Sequence, residues 1–367
     1  MNLKRKALVW APAALATCVA VLASGCNIAE EGKQTDTVAA STSIRTVSAT
    51  GSTAIEPLFD RWSKDYEKSH PMHLTYRPIG SGAGIDNLKR GFGVFAASEA
   101  PLSDAELQGL PPIVQVPVST EPICIVYNLP GLKTPLKLSG ATLAGIYSSQ
   151  IIGWQDPAIA RENPGVALPH QAIIVVHRSD RSGSTSILTS YLSKVNPAWT
   201  AKYGQGLSVN WPAGIGVEGS GAVLKSLLST PGTIGYLGLT FARTSGLPVA
   251  SIQNRAGEFV APTPASATVA LNAATGLLAK DLRAPIVDPP ATAKGAYPIT
   301  GVTFILIPKD NKSTDGEQQA LKDFLTYALT TGQDAAEELS YSRLPAPVLQ
   351  QGQALLAQLT DNGNPIK

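Results

Sequence analysis

The sequence predicts an α/β fold with mainly parallel sheets. Three observations carry this. Short β-branched runs alternate with amphipathic helical runs along most of the chain, which is the pattern of strand–helix–strand units. The 367 residues include 33 Gly and 28 Pro, so many short elements are joined by many loops. Hydrophobic residues make up 44% and charged residues 15%. That is too little charge for a coiled coil or a disordered chain. The length suits two domains of ordinary size.

The elements follow in order. IRTVSAT (44–50) reads as a strand. EPLFDRWSKDYEKS follows as a helix, with Ile55, Leu58, Phe59, Trp62 and Tyr66 at helical spacing. MHLTYRPI (72–79) is a strand, and a short helix runs through Ile85 and Leu88. FGVFAAS is a strand, and SDAELQG is a short helix capped by Ser103. PIVQVPV and PICIVYNL are two extended segments whose prolines suit sheet edges or crossings. ATLAGIYSSQ is helical, AIIVVHR (172–178) a strand, and SGSTSILTSYLSKV a helix. GAVLKSLLST is a helix and GTIGYLG a strand. VTFILIPK (302–309) is a strongly apolar strand, and the tail from Asp315 to Leu359 is mostly helical.

Four strand–helix junctions share one chemistry: Gly51-Ser52-Thr53, Gly80 to Gly84, Ser182 to Thr185, and Gly219-Ser220-Gly221. Each places glycine and hydroxyls at a helix start. For any one junction, simple capping is the plainer reading. Taken together they suggest more. Glycine lets backbone approach a ligand, and free N–H groups at a helix start attract anions. In open α/β sheets, ligands bind beyond the carboxyl ends of the strands, where these junctions lie.

The stretch HRSDRSGSTS (177–186) poses the question most sharply. A serine nucleophile would need a Gly-x-Ser-x-Gly elbow, and Ser81, Ser182 and Ser220 all lack that frame. His177 precedes Arg178 by one residue, so along a strand it points to the other face and reads as a packed or surface histidine. No Gly-x-x-x-x-Gly-Lys-Ser/Thr loop is present, and no His/Asp/Glu cluster has metal-ligand spacing. An anion site fits the residue types. Arg178 offers a planar fork of donors, Asp180 can hold that fork, and Ser182, Gly183 and Ser184 add hydroxyl and backbone donors. A surface salt bridge beside a capped helix fits the same residues, so this stretch alone leaves the matter open.

The N-terminus reads as an export signal over residues 1–25. MNLKRK is a basic region, ALVWAPAALATCVAVLA an apolar one, and Ala23-Ser24-Gly25-Cys26 a lipobox-like end. Lipidation of Cys26 and a polar tether over 26–43 follow. An ordinary secretory signal and an uncleaved anchor are the alternatives. Removal of Lys4, Arg5 and Lys6 lowers the formal charge of +2 by three units, to −1. That balance gives no electrostatic reason to expect nucleic-acid binding. Cys124 is then the one remaining thiol, so no disulfide framework can form, and it reads as a buried strand residue.

GSTAIEPLFDRW, IGSGAG, ASEAPLS, VYNLPGLK, IYSSQIIGWQDPAIARENPG, RSDRSGSTSILTSYLSKVNPAW, PGTIGYLG and YPITGVTFILIPKD resemble the periplasmic phosphate-binding protein family of the phosphate ABC transporter. The matches run in the family's order from about residue 47 to the C-terminal region. The resemblance implies two α/β lobes with the ligand in the cleft between them: lobe I over 44–119 plus 298–367, lobe II over 120–297, with hinges near Val118–Pro122 and Tyr297–Thr300.

It implies a phosphate site made by Thr53, the backbone N–H of Ala54, Ser81, Glu99, Arg178, Ser182, Gly183 and Ser184, with Asp180 supporting Arg178. Gly219–Gly221 is not a ligand loop in the family and is taken either as supporting the residues that contact the ligand or as structural. Glu99 stands where the family has aspartate. A carboxylate there accepts the proton that phosphate keeps near neutral pH and repels sulfate, which has none. The extra methylene requires the lobe or the ligand to shift, or Glu99 to swing aside.

The resemblance further implies a lipid-anchored periplasmic or outer-face receptor, a monomer without cofactor, that delivers phosphate to a permease driven by an ATPase. A signalling receptor of the same fold is an alternative. An exported serine-dependent phosphoester hydrolase is a more distant one.

Overall fold

The computed structural model describes residues 44–132, 134–278, 281–312 and 316–366. The leader, Cys26 and the tether lie outside the described residues. Among those described, no helix is long and apolar enough to cross a membrane.

One mixed sheet of eight strands runs through the molecule. Its strands are β1 (Arg45–Gly51), β2 (Met72–Pro78), β3 (Phe95–Ser98), β4 (Ile113–Tyr127), β5 (Ile174–Arg178), β6 (Ile215–Val217), β7 (Thr233–Gly238) and β8 (Thr300–Pro308). Their order across the sheet is β2-β1-β3-β8-β4-β7-β5-β6. The parallel pairs lie towards the two ends, β2-β1-β3 and β7-β5-β6. The antiparallel pairs lie in the middle, where β8 meets β3 and β4, and β4 meets β7.

The helices that matter to the site are α1 (Glu56–Tyr66), α2 (Ser81–Lys89), α3 (Gly140–Tyr147), α4 (Gly183–Val195) and α5 (Gly219–Ser229). The alternation read from the sequence explains them. Leu58, Phe59, Trp62 and Tyr66 bury one stripe of α1. Phe59 stacks on Tyr76 at 4.5 Å between ring centroids and lies 5.6 Å from Phe95. The Trp62 indole N–H donates to the Gly332 carbonyl at 2.7 Å. Each such side chain contributes about 1.5–3 kcal/mol of apolar burial. The tail is helical as expected, at Glu317–Ala328, Gly332–Glu338 and Ala346–Leu356.

The apolar residues form two large cores. One gathers Val47, Phe59, Trp62, Phe95, Val116, Ile305 and Phe324 around β1, β2, β3, β8 and the first half of β4. The other gathers Ile123, Ile125, Tyr127, Tyr147, Trp154, Tyr191 and Tyr236 around the second half of β4, β5, β7, α3 and α4. Leu271, Ala274, Leu278 and Ile286 pack into the first core, although they lie inside the stretch expected to belong to lobe II. Cys124 is fully buried on β4 and free.

PIVQVPV and PICIVYNL, read as two extended segments, are one continuous strand of 15 residues. The physical reason lies in the prolines. β4 pairs with β8 from Ile113 to Pro122 and with β7 from Ile123 to Tyr127. Partners change over at Pro122, so the strand can run on across the missing N–H donor.

Candidate functional site

The four Gly/Ser junctions converge where the two cores meet. Each follows the carboxyl end of a strand: β1 ends at Gly51, β2 at Pro78, β5 at Arg178 and β6 at Val217. The helices that follow start at Glu56, Ser81, Gly183 and Gly219. Their unpaired N–H groups and dipoles, about half a positive charge each, concentrate donors in one place.

Arg178 is 4% exposed. Its Nε donates to Asp180 Oδ1 at 2.6 Å, and Nη2 donates to Oδ2. These bonds hold the guanidinium rigid and leave Nη1 for another acceptor. They also temper its charge locally, so the helix starts add to its attraction for an anion. The Tyr236 hydroxyl accepts the Arg178 N–H at 3.0 Å and pairs with Thr185 Oγ1 at 2.6 Å. Burial pushes the Tyr236 hydroxyl up to about 12, so it stays protonated. Tyr236 was not singled out from the sequence. The available signal was a tyrosine inside an apolar strand, whose hydroxyl must find a partner when buried.

Ser81 and Glu99 come from the first core, Gly183 from the second, and they meet. Ser81 Oγ donates to Glu99 Oε2 at 3.2 Å and accepts the Gly183 N–H at 3.2 Å. Glu99 Oε1 accepts from Thr303 Oγ1 at 3.4 Å. Burial raises the Glu99 carboxyl above the usual carboxylate range; the hydroxyls of Ser52 and Ser81, and then the Arg178 charge, pull it back only in part. A Cβ on Gly183 would lie 2.0 Å from Glu99 Oε2 and 2.8 Å from Glu99 Cβ, so Glu99 would have to shift to admit it. A cavity of about 90 Å³ lined by Glu99, Ser186, Ser190 and Thr300 opens beside the carboxyl. The longer side chain therefore has room to move.

Thr53 is 7% exposed and faces Ser220 at the start of α5, whose Val223 and Leu227 pack in a third, smaller apolar cluster. The Thr53 and Ser220 hydroxyl oxygens are 2.8 Å apart, and the Ser220 N–H donates to Thr53 Oγ1 at 3.1 Å. The Gly219 N–H reaches Asp180 Oδ1 at 3.2 Å. The Gly219–Gly221 loop thus touches Thr53 and Asp180 directly, which fits the supporting role, one of its two expected readings. The Ala54 N–H donates to Ser52 Oγ at 3.0 Å, so a ligand would have to compete for it. The Ala54 carbonyl is fixed by the Tyr341 hydroxyl at 2.6 Å, a contact from the distant tail that no local signal announces.

Ser182 and Ser184 are buried at the start of α4. The Ser182 hydroxyl caps that helix by accepting the Thr185 N–H at 3.4 Å. His177 is away from this chemistry, as its alternation along β5 implied: its ring stacks on Trp211 at 5.1 Å, and Nδ1 lies 3.1 Å from the Arg178 carbonyl oxygen. Among the described residues no group of three or more metal-ligating side chains is found. The arrangement can hold a small tetrahedral oxyanion between hydroxyls, helix starts and one clamped guanidinium, with a carboxyl available for a protonated oxygen.

Two α/β cores whose strand ends gather buried donors into one cleft define a ligand-binding protein of the periplasmic type. A family model described as a PBP superfamily domain matches residues 36–331. The chain belongs to this superfamily and, within it, to the family of phosphate-binding proteins named PstS. The phosphate-binding protein PstS of Xylella fastidiosa (strain Temecula1) is 35% identical over 354 residues, which cover 94% of this chain and 96% of that one. The phosphate-binding protein PstS of Pasteurella multocida (strain Pm70) is 37% identical over 319 residues, covering 87% and 92%. The solved structure of a phosphate-binding protein from Stenotrophomonas maltophilia shares the fold, with a TM-score of 0.64 at 21% identity, over 84% of this chain and 93% of that one.

Proposed function

We propose that the protein is an exported receptor that binds inorganic phosphate and delivers it to the permease of an ABC transporter, without covalent chemistry. The observation that carries this reading is the meeting of Ser81 and Glu99 from one core with Gly183 and Arg178 from the other. That combination suits an anion that still carries a proton. The relatives' names point to the same ligand. In this reading Thr53, Ala54, Ser81, Glu99, Arg178, Ser182, Gly183 and Ser184 contact phosphate, and Asp180 holds Arg178. Lobe I is 44–119 plus 298–367 and lobe II is 120–297, with the helix at Pro264–Ala273 lying against lobe I. Cys26 carries lipid that keeps the receptor, as a monomer, at the membrane beside the permease and its ATPase.

Titration calorimetry against phosphate, arsenate, sulfate and molybdate tests the ligand assignment. Phosphate and arsenate, which keep a proton near neutral pH, are expected to bind, and sulfate and molybdate to bind far more weakly. Phosphate binding no tighter than sulfate would overturn it.

A further inference from the structure

We propose that Ser220 is a positioning residue for the anion: it closes onto Thr53 from the start of α5 and fixes the direction of the Thr53 hydroxyl proton. This rests on the reading of the site as a phosphate site.

The argument is a count of protons and lone pairs. A threonine hydroxyl has one proton to donate and two lone pairs to fill. The Ser220 backbone N–H can only donate, and at 3.1 Å from Thr53 Oγ1 it fills one lone pair. The Ser220 hydroxyl is 2.8 Å from the same oxygen, and by geometry either group could donate. An anion beside Thr53 breaks that symmetry when it presents an unprotonated oxygen there, as three of the four oxygens of a phosphate with one proton do. The arrangement that satisfies every group has Ser220 Oγ–H donating to Thr53 and Thr53 Oγ1–H donating to the anion. Both lone pairs of Thr53 are then occupied, and its proton has one direction left. Chained donors also polarise one another, which strengthens the last bond.

Specificity follows. With its lone pairs filled, Thr53 cannot accept a proton from the ligand. The protonated oxygen of a phosphate must then turn away from Thr53, and Glu99 is the acceptor available to it. Ser220 thereby orders the ligand's own proton. Both residues are buried, Ser220 at 2% and Thr53 at 7% exposure, so water does not substitute readily for either partner. The neighbouring Gly219 N–H holds Asp180 Oδ1, so one short segment ties Thr53 to the carboxylate that clamps Arg178.

The test is a double-mutant cycle on phosphate affinity by calorimetry, with Ser220→Ala, Thr53→Val and the double variant. Ser220→Ala suits the first turn of a helix, and melting without ligand monitors its fold. Ser220→Ala is expected to weaken phosphate binding by about 3- to 10-fold, the worth of one buried neutral hydrogen bond. In the Thr53→Val background the same change is expected to have almost no further effect, because Ser220 acts through Thr53. Losses that simply multiply, or an unchanged affinity for Ser220→Ala, would overturn the inference while the functional reading stands. Absence of phosphate binding by the unaltered protein would overturn the functional reading itself, and this inference with it.

Discussion

Glu99 and Arg178 are both buried, but they owe their states to opposite causes. Arg178 is held by a bidentate partner, whereas Glu99 is held by neutral hydroxyls in a place that disfavours its charge. Replacing Glu99 by Gln exchanges a charged, acceptor-only group for a neutral amide that can also donate, so a ligand oxygen without a proton is no longer repelled. The phosphate-to-sulfate affinity ratio is expected to fall by about 10- to 100-fold, the worth of a charge-assisted hydrogen bond. Competition calorimetry measures this, and an unchanged ratio would show that Glu99 does not read the proton. Arg178→Ala is expected to lose most phosphate affinity and also to destabilise the fold, since Asp180 is left as an unpaired, largely buried charge. Adding Asp180→Asn should restore the melting temperature but not the affinity. That split separates a ligand contact from a structural ion pair. Glycine, hydroxyl and arginine at strand ends made an anion cradle one of two readings of the sequence, and the family resemblance singled out the individual residues. The partners of those residues were not legible. Ser220 lies 167 positions from Thr53, and Tyr341 lies 287 from Ala54. No local pattern encodes such distances.

At the scale of elements, the site depends on how closely α2 and the start of α4 approach. Two glycines permit it. A Cβ on Gly82 would lie 2.2 Å from Arg181 Cβ, and one on Gly183 would lie 2.7 Å from Ser81 Oγ as well as against Glu99. Gly183→Ala is therefore expected to hold the two elements apart and weaken phosphate binding by about 5- to 100-fold, in line with the cost of overpacking. Calorimetry checks this, and full affinity would mean that the cleft is looser than its contacts indicate. The same approach brings Arg181 Nη1 to 2.9 and 2.8 Å from the two Asp86 oxygens, and the Arg181 carbonyl accepts the Gly82 N–H at 2.9 Å. Both side chains of that ion pair are 44% exposed, so it is a weak clasp. Arg181→Ala is expected to speed phosphate release by about 2- to 5-fold, an effect that shrinks at high salt, as stopped-flow release measurements would register. α1, with its helical period, and β8, with its nearly unbroken apolar run, could be read from sequence. The helix Pro264–Ala273 was missed because its small residues carry little amphipathic signal, although Thr263, Pro264 and Ser266 form a recognisable helix start. The three-residue strand β6 was missed because it offers too few side chains to show an alternation.

At the scale of the whole molecule, two of the passages between the cores lie side by side. Pro122 pairs with Thr300, the Ile123 N–H donates to the Ile299 carbonyl at 2.8 Å, and the Tyr297 hydroxyl donates to the Ile123 carbonyl at 3.0 Å. The family resemblance implied crossings near Val118–Pro122 and Tyr297–Thr300, but nothing in the sequence announced Glu121, which lies on β4 at 1% exposure opposite Gly301 and against Gly238. Its carboxyl oxygens are buried without a hydrogen-bond partner of good geometry. Burial, reinforced by the nearby Glu99, pushes this carboxyl well above the usual range. The folded chain therefore binds a proton there that the unfolded chain releases above about pH 4.5, the ordinary value for the group. The sign follows from linkage: the contribution of Glu121 to stability is fully present below that value and is lost as pH rises through the folded value. Glu121→Gln has nearly the same shape and never ionises. Its melting temperature is expected to match the parent near pH 4 and to exceed it increasingly towards pH 9, by about 2–4 °C for each kcal/mol of proton linkage. Melting profiles of the two proteins across that range decide the matter. Parallel curves would mean that Glu121 titrates normally, and the crossing would then contain a solvated charge rather than a neutral carboxyl built into the joint between the two cores.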